Sequence, residues 1–320
     1  MVGKRVEIGL QVAPRTRRGA TFDSKPYFEL ARRCEAIGLH SVWSSDRVNK
    51  PIPRFDSLTF LAALAAITQK VKIGTQVLAT PFRHPILLAR MIATIDIISD
   101  GRFILGAGIA SRYGGVECKA FGIKTSDRAG RTVEILEVIK RLWTMSSVTH
   151  TGKYFQFEDV VLEPKPVQKP HPPVWIGGDS EPAFRRVISI GNGWLAGSHI
   201  DPDGFRVKRQ QIINLARETG RDPDSLHWAC EINVNINPDA QRSAEESRSW
   251  YESHQGFITG GRSFDEVLLP AGAYGPPEIC VEKMARFIEY GAQTIIIKFR
   301  TEDVITQMDR LEKSVFPHFL

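Results

Sequence analysis

The sequence predicts an α/β protein folded as one (β/α)8 barrel. Three observations carry this. Eight apolar, β-branched runs recur along the chain, each followed by an amphipathic segment. The runs are continuously apolar rather than alternating, the pattern of parallel strands covered on both faces. No composition shift or Gly/Ser/Pro linker divides the 320 residues, and single barrels commonly reach about 250 residues and beyond. A doubly wound sheet with a second domain is the competing architecture.

The elements follow in order. The strand over Val6–Ala13 leads to a helix near Pro26–Ile37, and Ser41–Ser45 to a helix over Leu58–Thr68. Val71–Ala79 precedes a helix over Ile86–Ile98, and Arg102–Ile109 one over Arg128–Trp143. Val174–Gly177 runs into Ser180–Ile190, and Trp194–Ser198 into Phe205–Thr219. Trp228–Ile236 is followed by Ala244–His254, and Thr294–Phe299 by a last helix near Thr301–Glu312. Three long insertions interrupt this single domain of residues 1–320, near 110–127, 146–173 and 256–277. The second carries a hairpin, Thr149–Thr151 and Tyr154–Phe157 around Gly152-Lys153. Insertions of this length in a compact barrel usually form lids or binding loops.

An apolar fraction of 42% with 24% charged residues excludes disordered and fibrous classes. The longest wholly apolar run, Phe60–Ile67, is too short to span a membrane. The segment MVGKRVEIGL has no signal-like apolar core, so neither secretion nor a membrane anchor is expected. Four isolated cysteines and eight scattered histidines lack metal-ligand spacing, which predicts no metal and fits a reducing cytoplasm. The net charge of +6 comes from dispersed arginines. It reads either as solvated surface or as some arginines facing an anionic ligand, and it does not resemble a nucleic-acid module.

Ligands of such barrels bind at the C-terminal ends of the strands. Gly177-Gly178-Asp179-Ser180 lies between a strand and a helix. It reads either as a phosphate cradle or as a tight turn with Asp179 or Ser180 as N-cap. Asp46 and Arg47 form a charged pair after the second strand, placed to polarise a bound ring, relay a proton, or make a rim ion pair. Gly106-Ala107-Gly108 begins a dinucleotide-type pattern, but Ser111 stands at the third glycine position. His199 is a candidate for the pocket wall, and His84 for a helix start. Phe82, Arg112, Tyr113 and the Gly256–Tyr274 segment are candidates for substrate contact, with Arg15 and Arg112 suited to an anion.

In this order along the chain, AIGLHSVWSSDRV, FDSLTFLAALAAIT, KVKIGTQVLATPFRHPILLARMIATIDIISDGRFILGAGIA, PKPVQKPHPPVWIGGDS and GPPEICVEKMARFIEYGAQTIIIKF resemble the bacterial luciferase-like superfamily. Its members are flavin (FMN)- or coenzyme F420-dependent oxidoreductases and monooxygenases on a TIM barrel. The resemblance implies a flavin-type ring at the barrel mouth, with a non-proline cis peptide at Gln76-Val77 against its face. It implies that Gly108, Ile109 and Ala110 line the pyrimidine side and that Gly177 and Gly178 hold the phosphate. Thr75 and Ser198 would be nearby donors, and Asp46 would meet the ring. F420-using members often carry Asp-His after strand two; here Arg47 replaces the histidine. F420 implies hydride transfer with an organic substrate, and FMN implies oxygenation with O₂ and a separate flavin reductase as partner. The basic balance together with Asp46 and Gln76-Val77 leans toward F420. A barrel that binds the ligand without turnover is the non-enzymatic alternative. The apolar faces over Leu58–Thr68 and Ile86–Ile98 could pack a homodimer.

Overall fold

The computed structural model describes residues 6–13, 22–48, 53–110, 115–255 and 263–320. Eight parallel strands close into a barrel: β1 (Glu7–Gln11), β2 (Ser41–Ser44), β3 (Lys72–Thr75), β4 (Phe103–Gly108), β5 (Val174–Gly177), β6 (Gly193–Ala196), β7 (His227–Ile236) and β8 (Thr294–Phe299). Closure comes from β8 pairing with β1, with Thr294 opposite Glu7 and Ile297 opposite Leu10. Each predicted strand is present: β5 and β8 keep the predicted bounds, β6 and β7 begin one residue earlier, and the others are shorter.

Outward-facing strand residues such as Ile8, Leu10, Val42 and Ile73 join the helices in one large apolar layer. That layer is fed by α1 (Lys25–Ala36), α2 (Ser57–Ile67), α3 (Pro85–Ile98), α4 (Arg128–Thr144), α5 (Glu181–Ile190) and α6 (Pro202–Glu218). At the base of the barrel, buried Arg102 donates to the Ala65, Thr68 and Val71 carbonyls, closing the end of α2 with a cation. The hairpin is found as Val148–Thr151 paired with Gln156–Val160. Glu134 of α4 accepts the Tyr154 and Phe155 amides and holds it in place.

The sequence reading differs after β7. Ala244–His254 lies within a helix, α7 (Ala240–Gln255), and a second helix, α8 (Phe264–Ala271), follows. Neither fills the layer between β7 and β8. That place belongs to α9 (Pro277–Glu289), a helix beyond the predicted insertion that the sequence pattern does not assign, which packs beside α6 and the last helix, α10 (Val304–Ser314). The Pro276-Pro277 pair looks like loop, yet proline is well suited to a first helical turn, and Cys280, Met284 and Phe287 are buried at helical spacing.

A separate set of six buried side chains fills the barrel: Trp43, Ile104, Trp175, Leu195, Ala229 and Ile296. The Trp43 and Trp175 rings stack with centroids 5.3 Å apart, and Trp43 donates to Ser41 Oγ at 2.8 Å. This plug requires the small residue beside it. A Cβ at Gly74 would lie 2.3 Å from the Trp43 ring. We expect Gly74→Ala to cost about 3 kcal/mol, read as a lower urea midpoint, with part of the loss recovered when Trp43→Phe is added. Additive effects of the two substitutions would contradict this packing.

Candidate active site at the barrel mouth

Above the tryptophans, β3 does not run on to Ala79. It stops at Thr75, the Gln76-Val77 peptide is cis, and the chain resumes as a short strand, Leu78–Ala79, beside Ala107 and Gly108 of β4. Val77 packs on the interior plug. Its methyls occupy the space that side chains on two neighbours would need: a Cβ would fall 2.5 Å from Val77 Cγ2 at Gly108, and 3.0 Å from Cγ1 at Gly177. The Gln76 side chain is 4% exposed. Neither its amide nitrogen nor its oxygen has a hydrogen-bond partner among the described residues. A buried primary amide left so is costly unless a ligand satisfies it.

Thr75 is fully buried, and its hydroxyl donates to the Gly106 carbonyl at 2.7 Å. It therefore joins β3 to β4. Gly106 is a packing glycine, since a Cβ there would sit 2.0 Å from the Thr75 carbonyl oxygen.

Asp46 is buried at the end of β2, but it does not pair with Arg47. Its carboxylate receives the Ala79 amide at 3.0 Å and the Arg83 guanidinium at 3.1 Å. Arg83 also reaches Asp56 at 3.0 Å, whose carboxylate caps α2 through the Thr59 amide. The pair of neighbours suggested by sequence is replaced because the chain after the cis bond brings Arg83 over Asp46. The clamp fixes the segment that follows Gln76-Val77. Arg47 is half-buried, and desolvation pulls its pKa down against the opposing charge of Glu117.

On the next strands, Ile109 and Ala110 are partly exposed, and Ala110 takes a left-handed φ of 67°, uncommon for a residue with a Cβ. Gly178 has a φ of 128°, and a Cβ there would meet Ala183 at 2.8 Å, so the turn demands glycine. Trp194 Nε1 donates to the Gly178 carbonyl at 2.7 Å. Ser180 is the N-cap of α5, without a side-chain cap bond. His199 Nε2 lies 3.1 Å from Asp179 Oδ2. Ser198 is partly exposed, and its carbonyl accepts from Asn233 at 3.2 Å. His84 is the N-cap of α3. Arg15, Arg112, Tyr113 and residues 256–262 lie outside the described residues, whereas Phe82 is buried and stacks on Phe121.

The mouth thus gathers Gln76 and Val77 after β3, Gly108–Ala110 at the end of β4 and Gly177–Gly178 at the end of β5. The family model described as luciferase-like monooxygenase matches residues 8–294. The chain belongs to this luciferase-like family. The luciferase-like chain is 30% identical over 282 residues to an F420-dependent glucose-6-phosphate dehydrogenase of Microbacterium testaceum, covering 82% of this chain and 83% of the relative. It is 33% identical over 247 residues to the oxygenase component of a flavin-dependent trigonelline monooxygenase of Acinetobacter baylyi, covering 75% and 68%. Among solved structures, the monooxygenase RslO1 of Streptomyces bottropensis superposes with a TM-score of 0.81 at 21% identity, covering 98% of this chain and 100% of that one. The family is one of oxidoreductases and monooxygenases whose members here include both F420- and flavin-dependent enzymes.

Sequence reasoning missed Arg54, Arg83, Asn233 and Arg300 of this luciferase-like mouth. For Arg300 a signal existed: it follows an apolar strand directly, in IIIKFR.

A hydrogen bond from His199 holds the Asp179 carboxyl down at about 2. Stability from this pair is present above about pH 4, where an unfolded aspartate is ionised, and is lost as pH falls toward 2. His199→Ala should raise the Asp179 value toward about 4, followed by carboxyl carbon-13 NMR; an unmoved titration would refute the pairing.

Proposed function

We propose that this luciferase-like oxidoreductase binds a reduced flavin-type cofactor at the mouth and transfers hydride between coenzyme F420 and a small organic substrate. The observation that carries it is the unsatisfied Gln76 amide beside a cradle built from glycines. Such a cradle fits the donor and acceptor edge of a flavin-type ring followed by a phosphate tail. The relative that covers four-fifths of both chains is F420-dependent, which supports F420.

Bound there, the cofactor supplies the hydride chemistry. The protein supplies position. Gln76 satisfies the ring's polar edge through its amide, and Val77 supports the ring face from below. The backbone at Gly108, Ile109 and Ala110 lines one side. Gly177 and Gly178, at the turn into α5, receive the phosphate. Asp46 acts as a positioning residue, since its carboxylate is held by Arg83 and the Ala79 amide. Arg47, at the same strand end, keeps its proton at neutral pH and serves to stabilise negative charge rather than to donate a proton. Ser198 offers a hydroxyl on the rim. The substrate is a small organic molecule lying above the ring.

FMN-dependent oxygenation with a separate reductase is the second reading. The Acinetobacter relative, an oxygenase component, favours it.

Anaerobic titration with F420 and with reduced FMN, followed by tryptophan fluorescence, separates the two. We expect tight binding of F420, weakened about tenfold by Gln76→Leu through its lost hydrogen bonds. Tight binding of reduced FMN alone would establish the second reading. Binding of neither would overturn both.

A further inference from the structure

The barrel interior changes character with height. Inward positions of β7 and β8 begin with Ala229 and Ile296 in the apolar plug. One step up, Glu231 and Lys298 form an ion pair of 2.7 Å. Above them Arg300 is buried, 3% exposed. Its guanidinium lies 4.9 Å over the Trp250 ring. Its Nη1 donates to the neighbouring Phe299 carbonyl in a long contact of 3.3 Å.

Across the mouth, Arg54 reaches Ser45 Oγ at 3.4 Å, again a weak contact. Nε of Arg54 and Nε of Arg300 are both buried without a hydrogen-bond partner among the described residues. Asn233 Oδ1 is likewise buried without a partner among the described residues, and the Tyr274 hydroxyl faces the Asn233 side chain and Arg300. Burial, together with the positive charges of Arg47 and Arg300, pulls the Arg54 pKa down to about 10. Among the described carboxylates near this cluster, Glu231 is taken by Lys298, Asp46 by Arg83, and Glu117 accepts the Val48 amide. Two neighbouring guanidiniums with buried Nε donors that lack partners among the described residues are a costly arrangement. An anion with several acceptor oxygens removes that cost and uses the fork geometry of arginine.

We propose that Arg54 and Arg300 form a recognition site for an anionic head group of the substrate, a carboxylate, phosphate or sulfonate, with Asn233 and Tyr274 completing it. This rests on the cofactor reading above only in calling the ligand a substrate. The acceptor oxygens could also belong to the cofactor's own tail, and the test separates the two sources.

Sodium sulfate, at ionic strength held constant with chloride, is titrated calorimetrically into the full chain. The titration is done with the protein free and saturated with whichever cofactor binds. We expect sulfate binding in both forms, weakened at least tenfold by Arg54→Gln and by Arg300→Gln. Arg300→Lys, which keeps the charge and loses the fork, should fall between. Because a buried arginine variant can misfold, wild-type crystals soaked in selenate provide an independent reading. An anomalous peak within hydrogen-bond distance of both guanidiniums is expected. Unchanged sulfate affinity in both glutamine variants overturns the proposal, as does a selenate peak confined to residues 177–180. Loss of sulfate binding on cofactor saturation assigns the arginines to the cofactor tail and also overturns it. Sulfate binding at the arginines without binding of either cofactor would sink the cofactor reading and leave the anion site standing.

Discussion

The packing of Trp43 against Trp175 in the barrel bore is the contact on which the mouth depends. A barrel of eight strands has room inside for side chains and little else. Here two stacked indoles and four aliphatic side chains fill it. Because that floor is rigid, Val77 has a fixed seat, and the break after β3 delivers Gln76 to the mouth at a defined height. The Asp46–Arg83–Asp56 bridge then pins the segment that follows to the end of β2 and the start of α2. Floor and bridge meet at the end of β2, which supplies Trp43 to one and Asp46 to the other, and together they make one surface.

Much of this was legible in the residues. The eight strands announce themselves because a strand covered on both faces must be apolar throughout, and Val174–Gly177 or Thr294–Phe299 could hardly be anything else. The glycines at 108, 177 and 178 stand out at strand ends, where backbone must come close to something. Other features were hidden for physical reasons. The partner of Asp46 could not be read from its neighbour, because the turn after the cis bond carries Arg83 back over it. Helix α9 was masked by the prolines at its start, although Cys280, Met284 and Phe287 keep the period of a buried helix face. Arg54 and Arg300 look like ordinary surface cations until barrel closure sets the end of β8 near the end of β2.

The two ends of the barrel carry different burdens. At the base, Arg102 is matched to carbonyl oxygens and the apolar layer is tight, as suits a region that only has to hold. At the mouth, buried polar atoms of Gln76 and Asn233 have no partner among the described residues. Unmet hydrogen-bonding capacity of this kind lowers the stability of a free protein and raises what a fitting ligand can gain.

The space shared by Val77, Gly108 and Gly177 also bears on how such a barrel can change over time. Three strands contribute to one small volume, and whatever one position takes the other two must give up. A bulkier residue at 108 or 177 becomes tolerable only after position 77 has shrunk, and a larger residue at 77 closes both routes at once. Descent through these positions is therefore ordered. Variants that are harmful singly are acceptable as a set, so the three sites should drift together while the loops above them diversify freely.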